Sequence, residues 1–199
     1  PIFTLDGTVR ANVGDVVAEI TTDENGYAET EPLYLGKYEV REIKAPYGYV
    51  LNNEPKDVEL TYAGQEFEVR DTVNTAFENE YQSVEISLSK VMENDKLFGI
   101  YGENCYTSVR FGLFAAEDIT AADGTVIPAD GLLSEVSLDE NMTAKFDVQI
   151  PFGRYYVQEI ATDEHYILNG EKYLVNFEYM GHDIRTVDID CGQFVNLLK

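Results

Sequence analysis

The sequence predicts an all-β protein made of two tandem β-sandwiches, and three observations carry the prediction. Short runs of alternating apolar and polar residues recur with turn residues between them, the pattern of half-buried strands. No stretch sustains the helical period of apolar residues. The chain also repeats itself without a gap. Gly36, Tyr38, Val40, Glu42, Ile43, Tyr49, Leu51 and Asn52 return as Gly153, Tyr155, Val157, Glu159, Ile160, Tyr166, Leu168 and Asn169, an offset of 117 (159 − 42 = 117). Asp6-Gly7-Thr8-Val9 returns as Asp123-Gly124-Thr125-Val126, and Phe77 and Asn79 as Phe194 and Asn196. The 199 residues therefore divide into a first unit, 1–82, and a second, 83–199.

In the first unit, Asp6-Gly7 marks a turn after Ile2 and Phe3. Residues 16–20 are expected as a strand, Asp23-Glu24-Asn25-Gly26 as a tight turn, and residues 36–43 as the strand that carries Glu42. Pro46 and Gly48 break the ladder and force a corner. Residues 58–62 and 67–69 are expected as a hairpin around Ala63-Gly64, with Phe77, Asn79 and Tyr81 on one face at the end. The second unit opens with Val84, Ile86, Leu88 and Lys90 spaced by two. An irregular connection, 92–110, leads to strands at 111–117, 132–138 and 144–150. Asp123-Gly124, Pro128 and Asp130-Gly131 punctuate a loop. Tyr155, Val157 and Glu159 then share one strand face, leaving Arg154, Tyr156 and Gln158 on a face that can meet water. Strands at 173–179 and 185–190 precede a last one that aligns Phe194, Asn196 and Leu198.

Composition removes some classes of function. Thirty-seven acidic against 14 basic residues give a formal charge of −23, which repels nucleic acid and anionic membrane surfaces. No apolar run is long enough to span a bilayer, and the chain begins at Pro1 rather than Met, so it reads as a piece of a longer protein. Cys105 and Cys191 both fall in the second unit and offer either a disulfide or two buried thiols; spacing does not choose between them. No metal site and no cofactor are expected, because His165 and His182 stand alone and no paired Cys or His spacing is present. Asp23-Glu24-Asn25 and Asp139-Glu140-Asn141 read as solvated turns and lack the length of an EF-hand loop.

The second unit thus places three polar groups on inward faces: Lys90 on its first strand, Glu159 on a middle strand and Asn196 on its last. Singly, each has an ordinary reading as a strand end that reaches water. Together they have a chemical use. A lysine amine can attack an asparagine carboxamide, releasing ammonia and leaving an amide cross-link. Burial favours the neutral amine and the protonated carboxyl that this reaction needs, and the carboxyl can then move the proton.

Leu35-Gly36-Lys37-Tyr38-Glu39-Val40-Arg41-Glu42 followed by Ala45-Pro46-Tyr47-Gly48-Tyr49 resembles the signature of the CnaB domains, SpaA-like prealbumin-like modules of Gram-positive pilins and adhesin stalks. The resemblance implies immunoglobulin-like sandwiches on an extracellular, cell-wall-anchored protein, with other pilin or adhesin subunits or a host surface ligand as partners. It also implies an autocatalytic cross-link in the second unit, Lys90 to Asn196 with Glu159 as the acid. Thr162-Asp163-Glu164-His165-Tyr166 departs from the Ala-Pro-x-Gly-Tyr corner. In the first unit Glu42 and Asn79 match the acid and the asparagine, but the lysine position falls at −27 (90 − 117 = −27), before Pro1. That unit is accordingly expected to lack its N-terminal strands and to carry an incomplete site. Two other classes of function fit the sequence less well. Exposed tyrosines would suit a ligand-binding adhesin domain, whereas a glycosidase needs paired carboxylates and each unit offers one inward acid. No nucleophile elbow, phosphate loop or HExxH motif is present, so turnover on an external substrate is not expected.

Overall fold

The computed structural model describes residues 1–62, 64, 72–121 and 123–199. By their contacts the residues form two compact units, 1–43 with 52–78, and 44–51 with 79–199.

The first of these holds two small antiparallel sheets. β1 (Ile2–Phe3) pairs with β2 (Val9–Ala11), joined by the Asp6-Gly7 turn, where Gly7 has φ +83° and the Thr8 N–H donates to Asp6 Oδ1 at 3.0 Å. β3 (Gly36–Val40) pairs with β4 (Lys56–Leu60), Tyr38 opposite Val58. The strand expected at 16–20 does not form. Val16, Val17 and Ile20 are exposed, so their alternation has no sheet face to pack against and nothing offsets the ordering of their backbone. β3 ends at Val40, two residues short of Glu42, and β4 starts earlier than the expected 58–62. The expected strand at 67–69 and its turn residue Ala63 lie outside the described residues. Phe77, Asn79 and Tyr81 lie in no strand. Among the described residues of this unit, Ala11 alone is a buried apolar side chain, while Leu5, Val13 and Val16 are exposed.

The second unit is a two-sheet sandwich. Its first sheet has β5 (Ser83–Met92) at the centre, flanked by β10 (Thr143–Val148), antiparallel, and β13 (Thr186–Asn196), parallel. The other sheet is antiparallel, in the order β12 (Tyr173–Phe177), β11 (Gly153–Ala161), β6 (Arg110–Ala115), β9 (Leu132–Ser137). Val84, Ile86, Leu88, Phe146 and Phe194 from one sheet close on Phe111, Leu113, Tyr155, Val157 and Phe177 from the other. Burying each such side chain contributes roughly 1.5–3 kcal/mol. Helical turns among the described residues are two single 3-10 turns, Gly102–Asn104 and Tyr106–Ser108. No helix among them is long and apolar enough to cross a membrane.

Three features of this unit differ from the sequence expectation. The strand at 185–190 and the last strand are one, β13, which carries a bulge between Asp190 and Gln193. There Gly192 takes φ +76° and its N–H donates to Asp190 Oδ1 at 2.8 Å, so the turn-like residues bend the strand without ending it. The loop around Asp123-Gly124 contains a small hairpin, β7 (Ile119–Thr120) with β8 (Val126–Ile127). Tyr156 does not meet water: its ring stacks on Phe114 at 5.0 Å, its hydroxyl donates to Asp130 Oδ1 at 2.8 Å, and Lys172 Nζ sits 4.0 Å over its face. A tyrosine can be covered while keeping its polar tip paired.

Candidate functional site

Lys90, Glu159 and Asn196 come together inside the sandwich. β5 alternates buried and less buried residues along its length, and the inward phase that holds Val84, Ile86 and Leu88 carries Lys90 inward too. β13 runs parallel beside it, with Phe194 opposite Lys90, so Asn196 lies two residues further along the same face. Glu159 enters from the facing sheet, opposite Phe111 on β6. Nothing in the alternation of β11 would place a carboxylate elsewhere, since Tyr155 and Val157 precede it on the buried face.

The ordinary reading of Lys90 and Glu159 as strand ends in water does not hold. Lys90 Nζ lies 2.8 Å from Glu159 Oε1, with both side chains 0% exposed. The second carboxylate oxygen, Oε2, accepts from Asn196 Nδ2 at 2.9 Å and from the Asn169 N–H at 2.7 Å. Asn196 Nδ2 also donates to the Ile167 carbonyl at 2.5 Å. Glu159 therefore bridges the lysine nitrogen and the carboxamide nitrogen, one oxygen to each. Apart from Glu159, Lys90 Nζ has no hydrogen-bond acceptor among the described residues, and Asn196 Oδ1 has no partner there. The Phe111 ring stands 5.5 Å from Lys90 Nζ and meets Phe194 edge-on at 4.8 Å. In this apolar setting burial pulls the Lys90 amine below its ordinary pKa, although the Glu159 carboxylate opposes the shift.

Several of these hydrogen bonds recur at the 117-residue offset of the sequence repeat. Glu42 Oε2 accepts from the Asn52 N–H at 2.6 Å, as Glu159 does from Asn169. Asn79 Nδ2 donates to the Val50 carbonyl at 2.9 Å, as Asn196 does to Ile167. Asn52 Nδ2 donates to the Glu78 carbonyl, as Asn169 does to Val195. The corner recurs as well: Tyr49 N–H to Pro46 carbonyl at 3.1 Å matches Tyr166 N–H to Asp163 carbonyl at 3.0 Å. Backbone geometry thus survives the change from Ala-Pro-Tyr-Gly to Thr-Asp-Glu-His, because the defining bonds are main-chain ones that several residue types allow. The Asx bonds of this corner and of the Asp23 and Asp139 turns fill carboxylate oxygens with backbone N–H groups.

Residues 2–75 match the SpaA prealbumin-like fold domain family. That part of the chain is therefore similar to a SpaA-type prealbumin-like domain. The chain is also similar to the trypsin-resistant surface T6 protein of Streptococcus pyogenes serotype M6, with 29% identity over 90 residues, covering 45% of this chain and 16% of that protein. Among solved structures it resembles the Bacillus anthracis TIE protein, with TM-score 0.56 and 23% identity over 90% of this chain and 28% of the other. It also matches the Corynebacterium diphtheriae major pilin SpaA at TM-score 0.35 and 15% identity, over 77% and 41% of the two chains. The chain thus spans a minor part of the length of each of these relatives, and the match to the TIE protein is one of fold. Cys105 and Cys191 stand as separate, half-buried thiols. Burial, and then the neighbouring Asp190, pushes Cys191 up to about 11.

Sequence spacing missed one group. Cys105 lies between the two 3-10 turns, and Asp163 and His165 lie in the corner after β11; their ligand atoms all fall within 4.8 Å of one another. His165 is therefore not alone, contrary to the sequence expectation. The signal that could have found it is the departure from the Ala-Pro-x-Gly-Tyr corner, which introduces two such side chains at once.

Proposed function

We propose that this chain is a structural module from the stalk or shaft of a Gram-positive surface protein, made of two SpaA-type domains in tandem, of which the second, 83–199, is locked by a Lys90–Asn196 isopeptide bond. The observation that carries the reading is the placement of Glu159, with one carboxyl oxygen at the lysine nitrogen and the other at the carboxamide nitrogen. Neutral Lys90 Nζ attacks Asn196 Cγ. The Nζ–Cγ bond forms, the Cγ–Nδ2 bond breaks, and ammonia leaves. Glu159 takes a proton from Nζ at Oε1 and returns one to Nδ2 from Oε2, so it ends as it began. Holding the groups together inside the core provides roughly 7–11 kcal/mol of the barrier reduction.

Such a bond joins the first strand of the module to its last. Load then runs through a covalent link rather than through the hydrogen bonds of β5 and β13, and opening of the chain between them is suppressed as in any long-loop cross-link. The recurrence of the Glu42 and Asn79 hydrogen bonds supports the tandem reading. The protein is extracellular on this reading, held at the cell wall by parts of the larger protein, with neighbouring subunits as its partners.

The test is the intact mass of the denatured, reduced chain. A deficit of one ammonia, abolished separately by Lys90→Ala, Glu159→Ala and Asn196→Ala, is the expected result. A full mass in the folded wild-type chain would overturn the cross-link.

A further inference from the structure

We propose that Cys105, Asp163 and His165 form a binding site for a borderline divalent transition-metal cation, Zn²⁺ or a chemical equivalent, on the surface of the second unit. This does not depend on the isopeptide reading, since none of the three residues takes part in it.

Three donor types converge: a thiol sulfur, a carboxylate oxygen and an imidazole nitrogen, all within 4.8 Å of one another. Ligand atoms of a tetrahedral zinc stand about 3.5 Å apart, given metal–ligand bonds of about 2.0–2.3 Å. The cluster therefore closes onto a cation by small side-chain rotations. His165 Nδ1 and Asp163 Oδ1, now 2.6 Å apart in a hydrogen bond, separate by about 1 Å as both turn to the metal. Sulfur and imidazole ligands select zinc-like ions over calcium or magnesium, which take oxygen.

The frame that holds the three is built. Asp163 Oδ1 accepts from the His165 N–H at 3.1 Å, and the Tyr166 N–H donates to the Asp163 carbonyl, which sets the turn. Tyr166, 1% exposed, anchors that turn by donating from its hydroxyl to the Glu93 carbonyl at 2.8 Å. The Lys199 N–H donates to the His165 carbonyl at 3.0 Å, tying the turn to the chain after β13. Cys105 is fixed from the other side by its N–H to the Gly102 carbonyl at 3.0 Å. The Cys105 thiol faces the Asp163 carboxylate within that cluster. Three protein ligands leave a fourth position on the side where His165 is exposed, open to water or a ligand. The metal would staple the 3-10 connection after β5 to the corner after β11.

A chain with a formal charge of −23 attracts cations without a built site, so the readout must report the thiolate. Reduced full-length chain is titrated with Co²⁺. One equivalent is expected to give a sulfur-to-cobalt charge-transfer band with tetrahedral visible bands, and Zn²⁺ is expected to bleach both. Cys105→Ser is expected to abolish the charge-transfer band, while Cys191→Ser leaves it unchanged. His165→Ala, at an exposed side chain, is expected to weaken Zn²⁺ binding at least about tenfold, since even outer-shell partners cost that much. Absence of the band, its persistence in Cys105→Ser, or unchanged Zn²⁺ affinity in both His165→Ala and Asp163→Asn would each overturn the proposal.

Discussion

Lys90 Nζ and Glu159 Oε1 approach to 2.8 Å, and neither side chain has any surface exposed to solvent. Removing two charges from water costs several kcal/mol per ion, and a single mutual contact does not recover it all. As an ion pair it is therefore a poor source of stability.

Removing one partner and removing both should have opposite consequences. Against an Asn196→Ala reference, which keeps the pair but cannot cross-link, adding Glu159→Ala leaves a buried ammonium alone and is expected to cost about 3–5 kcal/mol. Adding Lys90→Met and Glu159→Leu together is expected to be near neutral. Urea denaturation of the three chains checks this, and equal losses in both variants would contradict it.

The lowered Lys90 pKa sets a pH dependence whose sign is fixed. Its folded value lies below the ordinary 10.5, so between the two the unfolded chain holds a proton that the folded chain lacks. Stability rises with pH through that window, and the penalty is present in full below the folded value. In the Asn196→Ala chain, the stability deficit relative to Lys90→Met/Asn196→Ala is expected to shrink as the pH rises from neutrality toward the ordinary lysine value of 10.5. A constant deficit across that range would remove the claim that Lys90 is desolvated.

Phe111 guards the amine at 5.5 Å and packs on Phe194. Phe111→Ala is expected to cost about 3–5 kcal/mol through the cavity it leaves. Water entering beside Lys90 would also keep the amine charged. Freshly purified variant is expected to show two intact masses, with and without one ammonia, where the wild type shows the lower mass alone. A variant that cross-links as completely as wild type would mean that Phe111 serves packing only.

Cys191, pushed up to about 11, should be a poor nucleophile. At about pH 8 its thiolate fraction is roughly two orders of magnitude below that of a free cysteine. In the Cys105→Ser chain, iodoacetamide labelling under native conditions is expected to be slower by that factor and to recover on unfolding. Labelling at the free-cysteine rate in the folded chain would refute the burial assigned to it.

The sequence by itself determined the class, the repeat and the direction in which three polar side chains point. Strand side chains alternate strictly, so once Val84, Ile86 and Leu88 face a core, Lys90 must as well, and the same holds for Glu159 after Tyr155 and Val157 and for Asn196 after Phe194. What only the tertiary structure decided depends on distances between segments remote in the chain. The register of β13 beside β5 sets Asn196 within reach of Glu159, and it passes through a bulge at Gly192 that local turn chemistry disguises as a strand end. Tyr156 is covered because Phe114 and Lys172 happen to lie over it. The strand expected at 16–20 fails because alternation gains free energy only where another surface is present to receive it. Cys105 meets Asp163 and His165 for the same reason in reverse: two loops with no periodicity to read are brought together by the sheets that they connect.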